Sequence, residues 1–413
     1  MRIGVLKEVK PDERRVALLP RQVQALMEKG HLVIVENGAG AGAGFQDADY
    51  ARRGAKLAGK AEVLHDCELL LKVKAPEPEE FSDYTASHTL FTYLHFDENI
   101  LRADIQALIG SGFLGLAYEW VGQDGCYPLL EPMSRLTGYL FAQKAIELCA
   151  REKGTFCPAN EPFLPGGRAI LIGTGNIGLS ALKYLLDLNL QLTVVHNAPV
   201  EDVRGRMQRR FTRATSDALA QRNLRFIRMD KDEPARTKDL IAELLPSADI
   251  VINAAVRRSD LPKSKLDYLL DREMIAAMEP GSIVCDATAC DRDLIETCVS
   301  SPSLHDVYRE RGVVHYNCDH IPALVARTAS ELLTEATFPY VRELAERGIV
   351  DALRSDAALR NGVSCCDGWV THPLSAQKKD LPYKPVDDVL AARGTRRASA
   401  RGGGAIGHMG AAR

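Results

Sequence analysis

Apolar residues along this chain fall into short runs bounded by glycine, proline or charge, and those runs alternate with segments of helical spacing. "RIGVL", "HLVIVE", "ELLLKVK", "LFTYLH" and "FLGLAYEW" read as buried strands. Between them "PRQVQALMEKG" and "ADIQALIGSG" place apolar residues at helical spacing and stop at glycine, and "DADYARRGA" repeats the design in short form. "PMSRLTGYLFAQKAIELCAREKG" predicts a long amphipathic helix, and the Pro/Gly-rich "TFCPANEPFLPGG" a linker. A second series of strands follows: "AILIG", "LQLTVVH", "LRFIRM", "ADIVINAAV" and "GSIVCDAT". Such alternation predicts an α/β fold with mostly parallel, doubly wound sheets. The stretch "VVHYNCDHIPALVARTASELLTEATFPYVRELAERG" holds another long helix, expected to carry the chain back to its first unit. The expected division is 1–133 and 306–391 for one domain and 134–305 for the other, with a mobile Gly/Ala/Arg-rich tail at 392–413.

Composition narrows the partners. At 413 residues the chain has room for two cores. With a formal net charge of -3 it gives no reason to expect nucleic acid or an anionic membrane as partner. No apolar run reaches the roughly eighteen residues needed to span a bilayer. The start reads as a strand and charged loop rather than a signal peptide. Ten scattered cysteines without repeated C-x-x-C spacing fit reduced thiols in a cytoplasmic enzyme. His315, Cys318 and His320 in "HYNCDH" have metal-ligand chemistry but no second ligand cluster, so a strand end and loop, without metal, is expected there.

The most specific motif is "AILIGTGNIG", a buried strand entering G-x-G-x-x-G and then the helical "LSALKYLLDLNL". In a dinucleotide-binding Rossmann unit the first glycine permits the tight turn and the second admits the pyrophosphate. The third lets helix and strand pack closely. Gly173, Thr174, Gly175, Asn176, Ile177 and Gly178 are therefore candidate cofactor residues, with the helix N-terminus facing the phosphates. Ala255 and Val256, after the strand "ADIVIN", are expected against the same ligand. The following strand should end in an acid that holds the adenosine ribose, but it ends in His196 and Asn197. Loss of that charge, with Arg204, Arg206, Arg209, Arg210 and Arg213 just beyond, leaves both NAD and NADP open and points toward NADP. The arginines are either a solvated helix face or the source of a contact to a 2′-phosphate.

In the first unit, "PDERRVALLP" carries Arg14 and Arg15, "LLLKVKAP" carries Lys72 and Lys74 at strand spacing, and "LFTYLHF" ends in His95. Together they supply cations for a carboxylate and a group that titrates near neutral pH.

These stretches, with "GHLVIVENGAGAGAGFQDADYARRGA", "LAYEW", "PLLEPMSRLTG", "MEPGSIVCDA" and "RTASELLTEATFPYV", resemble the alanine dehydrogenase family. The wider group includes the NAD-binding part of transhydrogenase and the saccharopine dehydrogenases. The resemblance runs from residue 1 to about 390. It implies a substrate domain, itself Rossmann-like, built from both chain ends around a central Rossmann domain, with the active site in the cleft between. By position it implies that Arg15 binds the substrate carboxylate and that Lys74 holds the carboxylate and the reacting oxygen or nitrogen. His95 would be the general acid/base, and Ser134 would touch the cofactor. It also implies a homo-oligomer, dimer or hexamer.

Departures from the family pattern cluster in loops. The position of the family's catalytic aspartate, four residues after Asp286, holds Cys290. A one-residue bulge would give the role to Asp291, and Arg292 and Asp293 replace a glycine pair. His320 and Ile321 replace Asn and Met beside the expected substrate, and Arg257 and Arg258 replace small or apolar residues. The expected activity is NAD(P)-dependent oxidative deamination and reductive amination of an amino acid/2-oxo acid pair, not strictly alanine. An opine- or saccharopine-like reduction of an imine, or a non-catalytic dinucleotide-binding module, are the alternatives.

Overall fold

The computed structural model describes residues 1–98, 100–158, 163–164, 166–211, 224–258, 261–288 and 290–393. Arg213 and most of the expected tail lie outside them. The chain forms two compact units, Met1–Pro132 with the segment from Val325 onward, and Met133–Leu324.

The first unit is an eight-stranded sheet. Its first six strands in chain order are β1 (Arg2–Val5), β2 (Leu32–Glu36), β3 (Lys56–Ala58), β4 (Leu69–Leu71), β5 (Thr89–Thr92) and β6 (Leu114–Ala117). The second unit contains β7 (Arg168–Ile172), β8 (Gln191–His196), β9 (Leu224–Arg228), β10 (Ile250–Asn253), β11 (Ile283–Asp286), β12 (Tyr308–Glu310) and β13 (Val313–Tyr316). Returning to the first unit, the chain adds β14 (Val363–Cys366) and β15 (Trp369–Val370). The sheets run β15-β14-β6-β5-β4-β1-β2-β3 and β12-β13-β11-β10-β7-β8-β9.

Within each sheet six parallel strands follow the doubly wound order 3-2-1-4-5-6, and the antiparallel strands lie at one end. Both units are thus of Rossmann type. The near-continuous apolar runs read from the sequence become strands buried on both faces, as parallel sheets require. In such sheets ligands gather at the C-terminal strand ends where the strand order reverses. Those places are the ends of β1 and β4 in the first unit and of β7 and β10 in the second.

Four long helices matter for the sites: α1 (Glu131–Leu148), α2 (Asn176–Asp187), α3 (Val200–Arg210) and α4 (Ala326–Arg347). The chain leaves the second unit at Leu324, not at residue 305. The reason is β12 and β13: β13 pairs in parallel with β11, and β12 closes against it, so 306–324 extend the second sheet. No helix among the described residues is long and apolar enough to cross a membrane.

Candidate functional site

Three loops at the C-terminal strand ends of the first unit converge on the expected acid–base constellation. Beyond β1 lie Glu8, Glu13 and Arg15; beyond β4, Lys72 and Lys74; beyond β5, Tyr93 and His95. Arg15 is buried, and Glu13 holds it from both Nε (2.8 Å) and Nη2 (2.6 Å). Burial alone would raise the Glu13 pKa, but Arg15 and then Lys74 outweigh it and hold the carboxylate below its ordinary range. The two lysines, read as equivalent strand positions, have different fates because β4 ends at Leu71. Lys72 is wholly buried, with Nζ 3.0 Å and 3.1 Å from the Glu80 oxygens and 3.5 Å from Glu8. Lys74 is also buried, and its charge is felt by both Glu13 and His95.

His95 adopts a left-handed backbone (φ 49°), uncommon for a non-glycine residue. Glu119 accepts its backbone N–H at 2.6 Å and that of Leu94 at 3.2 Å, which fixes the turn. The ring stacks on Tyr93, with centroids 5.3 Å apart, and its Nδ1 lies 3.2 Å from Glu98. Burial by itself would lower the imidazole pKa. The Glu98 and Glu119 carboxylates more than offset it, lifting the value to about 9. The result is a proton-carrying histidine near Arg15 and Lys74, a set able to bind a carboxylate and move a proton. Glu8, Glu13, Glu98 and Glu119 were not singled out from the sequence. Glu119 had a signal, a lone acid inside the apolar "LAYEWV".

The second unit carries the glycine turn. Gly173 has φ 98°, and a Cβ there would lie 2.7 Å from the Ala254 carbonyl oxygen. A Cβ on Gly178 would lie 2.1 Å from the Gly173 oxygen, so strand and helix approach as closely as the motif demands. Nothing lies within 4 Å of the Cβ position of Gly175, so the turn opens where a pyrophosphate would sit. Beside it is a cavity of about 350 Å³ lined by Gly173, Thr174, Gly175, His196, Asn197, Ala255 and Val256, among others. These residues fit a nicotinamide dinucleotide. Asn176, Ile177 and Gly178 form the first turn of α2, whose N–H groups have no acceptor within the helix. Ser134, in the first turn of α1, is not among the residues lining that cavity.

A family model described as "Alanine dehydrogenase/PNT, N-terminal domain" matches residues 4–137, and "Alanine dehydrogenase/PNT, C-terminal domain" matches residues 154–373. The chain belongs to this family. The alanine dehydrogenase of Bacillus subtilis is 34% identical over 397 residues, 94% of this chain and 98% of the relative. That of Methanococcus maripaludis is 30% identical over 401 residues, 94% and 100% respectively. A solved L-alanine dehydrogenase superposes with a TM-score of 0.76 at 30% identity, covering 92% of this chain and 99% of that one. A transhydrogenase from Sinorhizobium meliloti shares the fold at a TM-score of 0.66 and 23% identity, over 90% and 99%.

The loops that carry Asp291 and Arg257 are well anchored. Asp291 is exposed, and its Oδ1 accepts the N–H and the hydroxyl of Ser300, both at 2.7 Å. That commitment ties the loop down, and the expected transfer of the catalytic aspartate role to Asp291 gains no support from it. Cys290 is half-buried beside it. Asp286, at the end of β11, is buried; burial raises its pKa to about 6 against the bonds from Thr288 and Asn253. Arg257 is not a solvated side chain. Asp293 and the carbonyls of Leu261, Leu266 and Asp267 bind its guanidinium and staple the loop.

His320 is fully buried, with Nδ1 2.7 Å from Asp319 and 3.3 Å from the Cys318 thiol. Cys318, Asp319 and His320 bring three ligand-type atoms within 4.8 Å of one another. His315 instead bonds the Thr297 hydroxyl at 2.8 Å, and burial drops its pKa to about 4. It is a core histidine within β13.

Proposed function

We propose that this chain, an oxidoreductase acting on a CH–NH2 donor, interconverts an amino acid and its 2-oxo acid by oxidative deamination and reductive amination, without restriction to alanine. The observation that carries the reading is His95, held by Glu98 and Glu119 with Arg15 and Lys74 nearby at one set of strand ends. A bound nicotinamide dinucleotide, NAD(H) or NADP(H), supplies the hydride acceptor and donor, with Gly173–Gly178 as its cradle.

In the deaminating direction Arg15, oriented by Glu13, pairs with the substrate carboxylate. Lys74 holds that carboxylate and the reacting nitrogen or oxygen. Once Cα has lost its hydride, neutral His95 takes a proton from water as the oxygen adds to the imine carbon. The same imidazolium returns that proton to nitrogen, and the imidazole then takes the hydroxyl proton as ammonia departs and the carbonyl forms. In reverse, His95 begins protonated, the state its raised pKa favours below about 9. Asp291 serves as a loop anchor in this reading. The replacement of Asn and Met by His320 and Ile321 supports a substrate other than alanine.

The test is turnover of the full chain with a panel of amino acids and oxo acids in both directions, with products identified. Free ammonia in deamination supports the reading. A secondary amine from an amino acid and an oxo acid would move it to opine- or saccharopine-like imine reduction. No turnover by the wild type across the panel would leave only dinucleotide binding.

A further inference from the structure

We propose that the ribose end of the dinucleotide cavity is a subsite for an adenosine 2′-phosphate, selected by Arg206, and that NADP(H) is the preferred carrier. The inference rests on the dinucleotide reading of the glycine turn and adds which dinucleotide that turn receives.

Charge is the first argument. Cavity-lining residues include Arg206, Lys231, Arg257 and Arg258 and, among the described residues, no aspartate or glutamate. A carboxylate at the end of β8 would accept both ribose hydroxyls and repel a phosphate dianion. His196 stands there instead, followed by Asn197. Burial keeps the His196 imidazole pKa below its ordinary value, so the ring is neutral. Its Nδ1 lies 2.8 Å from the Ala198 carbonyl, to which it donates in the neutral ring, leaving Nε2 as an acceptor for the remaining 3′-hydroxyl.

Arg206 is the second argument, because the structure separates it from the other arginines of α3. Arg204 lies over the Phe226 ring at 5.7 Å, and Arg210 bonds Ser180 at 3.0 Å and Asn176 at 3.3 Å, bracing α2. Arg209 is exposed. Arg206 alone of this set lines the cavity. Its Nη2 donates to the Thr174 hydroxyl at 3.2 Å, which anchors the guanidinium to the glycine turn itself. Its Nε is buried and has no hydrogen-bond partner among the described residues. A buried donor without an acceptor is costly, and a phosphate oxygen on the adjacent ribose is the acceptor that would satisfy it. The guanidinium therefore sits between the turn that holds the pyrophosphate and the strand end that holds the ribose.

Calorimetric titration of the full chain with NADP+ and NAD+, in wild type, Arg206→Ala and Arg206→Lys, tests this. Wild type is expected to bind NADP+ at least about tenfold more tightly than NAD+. Arg206→Ala should weaken NADP+ by about ten- to a hundredfold while changing NAD+ by less than about threefold. Arg206→Lys should recover part of the loss, and rising salt should weaken NADP+ more than NAD+. Thermal unfolding of the variants checks that the turn still folds. Equal or tighter NAD+ binding by wild type overturns the subsite and leaves the oxidoreductase reading standing. Equal weakening of both cofactors in Arg206→Ala also overturns it, since Arg206 would then merely brace Thr174. If wild type binds neither, the dinucleotide reading falls and the subsite with it.

Discussion

The two units share one strand order and put opposite electrostatics at the same topological place. In the first, the cations at the switch point are interleaved with acids: buried Glu13 against Arg15, buried Glu8 and Glu80 against Lys72, and half-exposed Glu98 with buried Glu119 against His95. In the second, the turn after β7 is built from glycine and backbone, and the cavity beside it is lined by Arg206, Lys231, Arg257 and Arg258, with Asp293 holding Arg257 from outside the lining. A site that must hold a proton at a chosen pKa needs carboxylates to set it. A site that must receive phosphates needs open N–H groups and positive charge. The same scaffold thus reaches two chemistries through its loops alone.

If the first unit does the proton chemistry and the second only binds cofactor, removing the imidazole should separate the two. His95→Ala is expected to lower turnover by about 10²–10⁴-fold, the usual worth of a positioned general acid/base, with dinucleotide affinity unchanged. Steady-state rates and cofactor titration check it. A matching loss of dinucleotide binding would break the contrast between the units.

The lysine pair offers the next largest effect. Lys72→Met takes the shared cation from two buried carboxylates, leaving Glu80 only Lys60 at 3.5 Å, and should cost about 3–5 kcal/mol of stability. Lys74→Met should instead suppress turnover and leave a clearly higher unfolding midpoint than Lys72→Met. Denaturant melts beside kinetics decide it, and equal destabilisation by both would deny Lys74 its role toward the substrate.

The pH profile follows from the acids around His95. Deamination needs the neutral imidazole in free enzyme, so kcat/KM should climb about tenfold per pH unit and level off near pH 9. Reductive amination needs the protonated form and should fall above the same point, ammonia's own titration being allowed for. Because Glu98 is the leading cause of the rise, Glu98→Gln should move the inflection downward. An inflection that stays at 9 in that variant would remove the electrostatic account.

On the cofactor side, Gly178→Ala forces a methyl to within 2.1 Å of the Gly173 oxygen. Overpacking of that kind costs about 1–3 kcal/mol and should open the turn, weakening dinucleotide binding while the first unit stays folded. Domain-resolved hydrogen exchange with cofactor titration would show it, and unaltered binding would mean the close approach is not what shapes the cradle.

Much of this architecture could be read from periodicity and turn chemistry. "AILI" inside β7 and "LQLTVVH" around β8 are apolar runs whose register is dictated by burial on both faces, and "GTGNIG" allows few backbone paths. What escaped was long-range. "LLLKVK" reads as one strand, yet β4 stops at Leu71 and Lys72 pairs with Glu8 and Glu80, partners the linear pattern does not mark. Periodicity puts the crossing point near 306 because a short antiparallel pair after a loop gives little periodic signal, and β12 and β13 are three and four residues long. The arginines of α3 looked interchangeable, and only their neighbours set Arg206 apart.

The smallest predicted effect tests the loop after β11. Asp291 accepts two bonds from Ser300 and is exposed, so its carboxylate is already committed to holding the turn. Asp291→Ala should then cost about 0.5–1.5 kcal/mol of stability and change kcat by less than about threefold. A catalytic aspartate would behave differently, losing orders of magnitude in kcat at little structural cost. If that larger loss is measured, the loop must release Ser300 during turnover, and the proton chemistry assigned wholly to the first unit would have to be shared with the second.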